Sequence, residues 1–260
     1  MAKLRAGAVF GLVRELGAVG DPGPLVVTGP RGLAEALRKE LARGGDPGRV
    51  RDGPVEGAAA LVHVLAAEPG EDDRTLLQAA HRARVPVVVV LAGPGLDDRV
   101  PYVLATDVVQ VPSGQGFPVD RIVALLTTKL GEEATALAAR LPVLRDAVVA
   151  HVIERFARKN GVVGAAVFLR GADLPVMTLN QLRMVLRIAH AHGVEIGQDR
   201  APEVLATVGS GYAARAATRR ALLSVPLPGW FLRGAVGYSA TKAMGEAARR
   251  YFAARANATP

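Results

Sequence analysis

A tyrosine and a lysine near the end of the chain have the spacing of a proton-transfer pair. In the stretch VGYSATKAMGEAARRYF, Tyr238 precedes Lys242 by four residues, and Ser224 supplies a hydroxyl upstream. Side chains four residues apart on a helix are neighbours, so the Lys242 ammonium group could promote proton donation from the Tyr238 hydroxyl to a substrate carbonyl. The spacing therefore raises the question of an oxidoreductase.

The surroundings of this pair are similar to short-chain dehydrogenases only in part. That NAD(P)-dependent family continues with further strands and helices after its Tyr-x-x-x-Lys pattern, whereas only 18 residues follow Lys242. The turn TGPRGLAEA has Thr28, Gly29 and Gly32 but lacks the last glycine of the family's cofactor turn. We interpret Tyr238 and Lys242 as neighbours on an amphipathic helix, and an NAD(P)-dependent oxidoreductase that uses them is the alternative function.

The same turn has the position of a phosphate-binding loop. A P-loop needs G-x-x-x-x-G-K-[ST] between a strand and a helix, so that backbone N–H groups and a lysine hold phosphates. GPRGLAEAL has neither the lysine nor the hydroxyl, so electrostatic catalysis of phosphoryl transfer by the usual route is missing. Because a helix N-terminus attracts anions, Gly29, Arg31 and Gly32 are candidates for a weak anion site.

The elements around this turn resemble an Era-like GTPase. The strand VPVVVVL stands where that family leads into the guanine-reading Asn-Lys-x-Asp, but Ala92 and Gly95 replace the Asn and the Asp. VPSGQGFPVDRIVALL resembles the family's Ser-Ala loop and last helix, with Ser113 at the serine and Gly114 in place of the alanine. The resemblance implies a GTPase scaffold without its phosphate, magnesium and base ligands, and hence no hydrolysis, no tight GTP binding and no cofactor.

Short apolar runs alternate with helical patterns in the first part of the chain, which predicts a parallel α/β sheet. The predicted strands are PLVVTG, AALVHVLAA, PVVVVLAG and YVLATDVVQVP, and the predicted helices are GLAEALRKELARGG, EDDRTLLQAAHRAR and PVDRIVALLTTKL. His63 falls in an apolar strand and is interpreted as a core residue. We predict a parallel α/β domain, degenerate GTPase-like or Rossmann-like, over residues 1–140.

Helical periodicity alone follows, which predicts an all-helical domain over residues 141–260. Its patterns include LRDAVVAHVIERFARKNG and TLNQLRMVLRIAHAHG, the latter with Thr178 and Gln181 in capping-box spacing and Gly193 at its end. PEVLATVGSGYAARAATRRALL, the turn VPLPGW and FLRGAVGYSATKAMGEAARRYF complete the chain. Small residues four apart in the last helix, among them Gly237 and Gly245, predict close helix packing and permit self-association.

The helical part resembles the bacterial domain of unknown function 697 family, a module often attached to Era-like GTPase domains and sometimes membrane-associated. The resemblance covers residues 150–252 and lies in ADLPVMTLNQLRMVLRIAHAHG, VPLPGW and GAVGYSATKAMGEAARRYF. In this family the position of YSATK commonly reads like YAGTR, which implies no tyrosine–lysine chemistry. No catalytic residue carries over, so the resemblance implies a non-catalytic interaction or scaffold protein.

The excess positive charge lies in the helical part. Residues 1–144 contain 16 Lys and Arg against 17 Asp and Glu, whereas residues 145–260 contain 16 against 7. Because basic nucleic-acid binders usually interleave aromatic residues for stacking, we expect an anionic membrane surface or an acidic protein as partner rather than nucleic acid. The candidate contact residues are Arg215, Arg219, Arg220, Arg233 and Lys242.

The sequence argues against several classes of protein. No apolar run reaches the roughly 20 residues of a membrane-spanning helix, and charges at Arg14 and Glu15 argue against a signal peptide. Cysteine is absent, which excludes disulfides and thiolate metal sites. His190 and His192, two residues apart on a helix, point to different faces, so no metal is expected. We expect a cytoplasmic protein that can reach the inner face of the cytoplasmic membrane.

Overall fold

A computed structural model describes residues 20–112, 114–166, 174–194 and 229–258. These residues belong to two compact units. One is Gly20–Val148, here called the α/β unit, and the other contains the chain from Val149 onward and is called the helical unit. The division falls after Val148, beyond the end predicted at residue 140.

The α/β unit contains five parallel strands, which confirms the predicted sheet. They are β1 (Leu25–Thr28), β2 (Val50–Arg51), β3 (Ala60–Leu65), β4 (Val87–Leu91) and β5 (Val108–Gln110), and they lie in the order β2-β1-β3-β4-β5. The sequence did not predict β2, which is too short for a recognisable apolar run. β5 is shorter than predicted because a 3-10 turn occupies Ala105–Asp107.

Four helices accompany the sheet, α1 (Arg31–Leu41), α2 (Glu71–Arg82), α3 (Val119–Leu130) and α4 (Ala134–Arg140). α1 buries the stripe Ala34, Leu37 and Leu41. α2 begins with three acidic residues and ends with His81 and Arg82, an arrangement that suits the helix dipole. α1 and α3 follow the apolar periodicity of their sequences, whereas α4 buries the five consecutive residues 134–138.

The central strand β3 is buried along its whole length, as expected for a parallel sheet with both faces covered. Alternate residues of a strand face opposite sides, and Leu61 and Leu65 pack in one cluster with Leu77 and Ala80 of α2. His63 lies between these two leucines in the sequence, on the same face of β3. The core layer beneath α2 therefore contains a histidine.

The helical unit contains α5 (Arg145–Ala166, which begins in the α/β unit), α6 (Leu174–Ala191) and α7 (Gly229–Ala258). In the described parts of 180–250 the regular elements are thus helices, as predicted. The predicted cap at Thr178 is wrong, because α6 already begins at Leu174 and its second residue is a proline, which a first helical turn accepts. The predicted helix over residues 202–223 and the prolines before α7 lie outside the described residues.

Glycines allow the helices of this unit to approach closely. A Cβ on Gly245 of α7 would lie 2.7 Å from Ile153 Cγ1 of α5, and one on Gly237 would lie 2.7 Å from the Asn160 carbonyl oxygen. Real Cβ atoms essentially never approach other atoms this closely. The small residues noticed in the sequence therefore serve packing inside the unit, and self-association stays a prediction.

Candidate functional site

The turn after β1 requires glycine and leads directly into a helix. Gly29 has φ +129°, and a Cβ there would lie 2.3 Å from the Val64 carbonyl oxygen. Pro30 precedes α1, whose first residues Arg31 and Gly32 are exposed. The three anion-site candidates of the sequence therefore stand together at the N-terminus of α1.

His63 carries a hydrogen-bond partner on each ring nitrogen. Its Nδ1 lies 2.8 Å from Thr28 Oγ1, and its Nε2 lies 2.9 Å from Asp73 Oδ1. The second carboxylate oxygen of Asp73 accepts a hydrogen bond of 2.9 Å from the Gly70 N–H. His63 is only 2 % exposed, so its interpretation as a buried residue is confirmed, but the sequence did not reveal this connection to Thr28 and Asp73.

Strand register and helix position create this arrangement. Thr28 and His63 are direct partners in the parallel pairing of β1 with β3, which places their side chains on the same face. Asp73 belongs to the first turn of α2, and that helix covers this face. In the sequence, a threonine at the end of a strand and before a glycine turn could have drawn attention to Thr28. Its contact with His63 follows only from the pairing of β1 with β3.

Burial and the carboxylate of Asp73 have opposite effects on the pKa of His63. Burial lowers the pKa of His63 below its ordinary value, and the hydrogen bond and charge of Asp73 raise it by less. The ring is therefore neutral at pH 7. Because an ionised carboxylate can only accept hydrogen bonds, we assign the ring hydrogen to Nε2, and Nδ1 then accepts from the Thr28 hydroxyl.

The arrangement lies at the place where ligands bind in open α/β sheets. The chain passes from β1 to β2 on one side and then crosses to β3 on the other side of β1, so the strand order reverses between β1 and β3. Ligands of such sheets bind outside the carboxyl ends of the strands at this reversal. Thr28, as the last residue of β1, stands at that edge, and its side chain is partly exposed.

An open hollow of about 550 Å³ lies along α1. Three of its lining residues, Leu33, Ala36 and Glu40, come from α1. The remainder come from the ends of β4 and β5 and the loop that follows, and they are Ala92, Val111, Gln115, Gly116 and Phe117. Ala92, which follows β4, contributes no charged or hydrogen-bonding side chain to this surface.

In the helical unit, Tyr238 and Lys242 share a carboxylate. The Tyr238 hydroxyl donates to Glu154 Oε2 over 2.9 Å, and Lys242 Nζ lies 3.4 Å from the same oxygen and 3.2 Å from the Tyr238 hydroxyl. Hydrogen bonds from Arg158 and then Tyr238 lower the pKa of Glu154, while the bond to Tyr238 and the proximity of Glu154 raise the pKa of Lys242. Tyr238 and Lys242 are neighbours on one helix face, as predicted.

Cations greatly outnumber carboxylates in the described helical unit. From Val149 onward it contains ten Lys and Arg against the two carboxylates of Glu154 and Glu246. Both carboxylates already have cationic neighbours, since Glu154 lies 2.7 Å from Arg158 and Glu246 lies 3.8 Å from Arg249. The ten cations are Arg155, Arg158, Lys159, Arg183, Arg187, Arg233, Lys242, Arg249, Arg250 and Arg255.

The predicted contact residues are only partly within this description. Arg215, Arg219 and Arg220 lie outside the described residues. Arg233 lies near the start of α7, and the Lys242 side chain is 48 % exposed.

Three further exposed cations, Arg155, Arg158 and Lys159, form a stripe on α5. Their spacing in ERFARKNG was the signal that sequence reasoning missed, because neighbours three and four apart share a helix face.

No protein-family model matches the chain, and no curated protein sequence matches it. Within the described ranges, no helix combines the length and the apolar composition needed to cross a bilayer. The same residues contain no cluster of three or more His, Cys, Asp or Glu suited to a metal ion. Functional conclusions therefore rest on the chain's own residues.

Proposed function

We propose that the protein docks reversibly on anionic membrane surfaces through its helical unit, as an interaction protein that does not hydrolyse GTP. The observation that carries this proposal is the excess of ten cations over two carboxylates in the described helical unit, where both carboxylates already have cationic partners. Such an excess of positive charge attracts an anionic surface.

The contact surface is formed by the α5 stripe and Lys242 of α7. Arg158 and Lys242 both engage Glu154, so these two cations lie on the same side of the pair of helices. Val162, one turn beyond Arg158 on α5, is 67 % exposed. A valine beside cations suits the boundary between lipid headgroups and acyl chains.

The magnitudes fit reversible attachment. Each cation near an anionic bilayer contributes about 1 kcal/mol, so Arg155, Arg158, Lys159 and Lys242, reduced by the charge of Glu154, supply about 3 kcal/mol. Salt screens this attraction over a distance of about 8 Å at physiological ionic strength. We therefore expect binding that weakens as salt is added.

Co-sedimentation of the full chain with vesicles tests the docking. We expect binding to phosphatidylserine-containing vesicles, weak binding to pure phosphatidylcholine, and a loss of about tenfold or more in affinity for the double variant Arg155→Glu/Lys159→Glu. The matched control is Arg74→Glu/Arg82→Glu, which makes the same charge change on exposed residues of α2 in the α/β unit. Equal losses in both double variants, equal binding to both vesicles, or no binding at all would refute the proposal.

Nucleotide titration tests the other half of the proposal. The turn after β1 lacks a phosphate-binding lysine, and Ala92 and Gly95 stand where guanine would be read, so a fluorescent guanine nucleotide with Mg²⁺ should not bind at micromolar concentration. The same titration with NADPH examines the oxidoreductase alternative, in which Tyr238 would donate a proton. Saturation with either ligand in the micromolar range contradicts our proposal.

A further inference from the structure

Thr28, His63 and Asp73 form the one connected set of a hydroxyl, a base and a carboxylate that the described α/β unit places at its ligand-binding edge. We propose that Thr28 is a nucleophile that accepts the acyl group of short-chain esters, with His63 as its general base and Asp73 as a positioning residue. This site is independent of membrane docking. The sequence led us to expect no catalytic residues. His63 lies 35 positions from Thr28 and 10 from Asp73, so no local motif contains the three.

The hydrogen bonds have the direction that this chemistry needs. An alcohol becomes a nucleophile when a base accepts its proton, and the base must be held by a third group. The Thr28 hydroxyl faces the unprotonated Nδ1 of His63 at 2.8 Å, and the opposite nitrogen is held by Asp73 at 2.9 Å. Asp73 is in turn fixed by the Gly70 N–H.

The backbone places Thr28 at the end of β1, directly before a sharp turn into α1. Its side chain lies on the sheet face that carries His63, and the Gly29 conformation makes the turn sharp. The first N–H groups of a helix have no partner inside the helix, and those of Arg31, Gly32 and Leu33 begin at the same edge. They are the donors available to stabilise an oxyanion.

Burial gives His63 a strict requirement for hydrogen-bond partners. His63 lies on the face of β3 that carries Leu61 and Leu65, and a buried polar group is costly unless it is hydrogen-bonded. Asp73 meets this requirement on one side and also accepts from the Gly70 N–H at the start of α2. Thr28, which is partly exposed, is the member of the set that can meet a substrate.

The reaction balances with water as the second reactant. Thr28 Oγ1 bonds to the ester carbonyl carbon while its proton passes to His63 Nδ1, and the tetrahedral species then breaks its bond to the alcohol oxygen. That oxygen leaves with the electron pair and takes the proton from His63. Water, deprotonated by His63, then attacks the acyl-threonine, and Thr28 Oγ1 leaves and regains the proton. Because Thr28 is only partly exposed, we expect small acyl groups.

Acetylation by p-nitrophenyl acetate tests this site on the full chain. Release of nitrophenolate is followed by absorbance, and the acetyl group is located by peptide mass spectrometry. We expect Thr28 to be acetylated about 100-fold faster or more than Thr128, an exposed threonine of α3 whose hydroxyl donates to the Ala124 carbonyl instead of to a histidine. Acetylation of wild-type Thr28 no faster than of Thr128 overturns the proposal, whatever the stability of any variant.

Variants separate the roles of the three residues. His63→Gln should slow Thr28 acetylation about 100-fold, Thr28→Ser should keep it, and Thr128→Ala should leave it unchanged. Among the described residues Asp73 is the charged group that acts on His63, so Asp73→Asn should lower both the rate and the pH at which the rate is half-maximal. A merely structural Asp73 would lower Tm without moving that pH. Unchanged acetylation in His63→Gln would also overturn the proposal.

Discussion

The α/β unit and the helical unit bury different kinds of side chain. The strands of the α/β unit bury mainly valine and leucine, with His63 as an exception. The helical unit buries polar side chains between its helices: Asn160 donates to Thr241 Oγ1 over 2.9 Å and accepts from Asn180 over 2.8 Å, and Gln181 also donates to Thr241. It also buries large apolar side chains, Phe156 and Phe252 among them, and its helices approach closely at glycines.

The difference follows from how strands and helices form their backbone hydrogen bonds and pack together. Paired strands leave both faces of a sheet free for apolar side chains, and burial of these side chains supplies the main driving force. Helices that approach through glycine bring polar side chains close enough to hydrogen-bond, so these bonds and close dispersion contacts add to the apolar burial of the helical unit. We therefore expect the sheet core to be sensitive to lost volume and the glycine contacts of the helices to be sensitive to added volume.

Removing volume should have a large effect in the sheet. Leu61→Ala in β3 deletes a fully buried side chain and should lower the free energy of unfolding by about 3 kcal/mol, through lost transfer energy and a cavity. Urea unfolding followed by circular dichroism measures this loss. Leu104→Ala is the control, since Leu104 is 70 % exposed and should change stability by less than about 0.5 kcal/mol. Similar losses in both variants would contradict a core centred on β3.

Adding volume should destabilise the helical unit at its glycine contacts. Gly237→Ala would place a Cβ 2.7 Å from the Asn160 carbonyl oxygen, and overpacking of this kind should cost about 2 kcal/mol. Trp230, the single tryptophan of the chain, lies in α7, so its fluorescence follows unfolding of this unit.

The matched control for added volume is a glycine in open space. Gly32→Ala in α1 meets nothing within 4 Å and should stabilise its helix by about 0.5 kcal/mol. If both glycine variants change stability in the same direction, the close contact at Gly237 is not what limits side-chain size there.

A smaller effect should appear as a pH dependence of the α/β unit. Burial lowers the pKa of folded His63 below the ordinary 6.5. Between the two pKa values, His63 is therefore protonated in the unfolded chain and neutral in the folded chain. The stability due to neutral His63 is complete above about pH 6.5 and is lost as the pH falls toward the lowered folded pKa, with a slope of at most about 1.4 kcal/mol per pH unit.

Urea unfolding at several pH values checks this effect. His63→Gln should remove the corresponding slope, and wild type and variant should run parallel above pH 7. In the helical unit the pKa of His151 is also lowered, by burial and then by Arg155 and Arg158, so His151→Gln serves as the comparison. An identical pH dependence in wild type and His63→Gln would contradict a neutral buried ring.

Local patterns in the sequence were sufficient for most elements of the fold. Runs such as VVVVL can form a buried strand, and the acids and bases of α2 mark its ends. β2 was missed because two residues have no periodicity, and the start of α6 was missed because Thr178 looked like a cap. The pairing of Thr28 with His63 depends on the register of β1 against β3, which no local pattern encodes. Sequence reasoning therefore identified Gly29, Arg31 and Gly32 as candidates for an anion site, but it did not connect the neighbouring Thr28 with His63.

The hydrogen bonds among Asn160, Asn180, Gln181 and Thr241 also favour one alignment of the helices over others. In α7 the positions Gly237, Thr241 and Gly245 repeat at intervals of four, so a slide of α7 along α5 by about one turn would bring small residues back to similar places. Glycine contacts alone do not distinguish these alignments. Asn160 does, because its amide donates to Thr241 Oγ1 in this alignment, and a slide of one turn would place a glycine there instead. A polar residue in a helix seam can select one register in this way at some cost in stability.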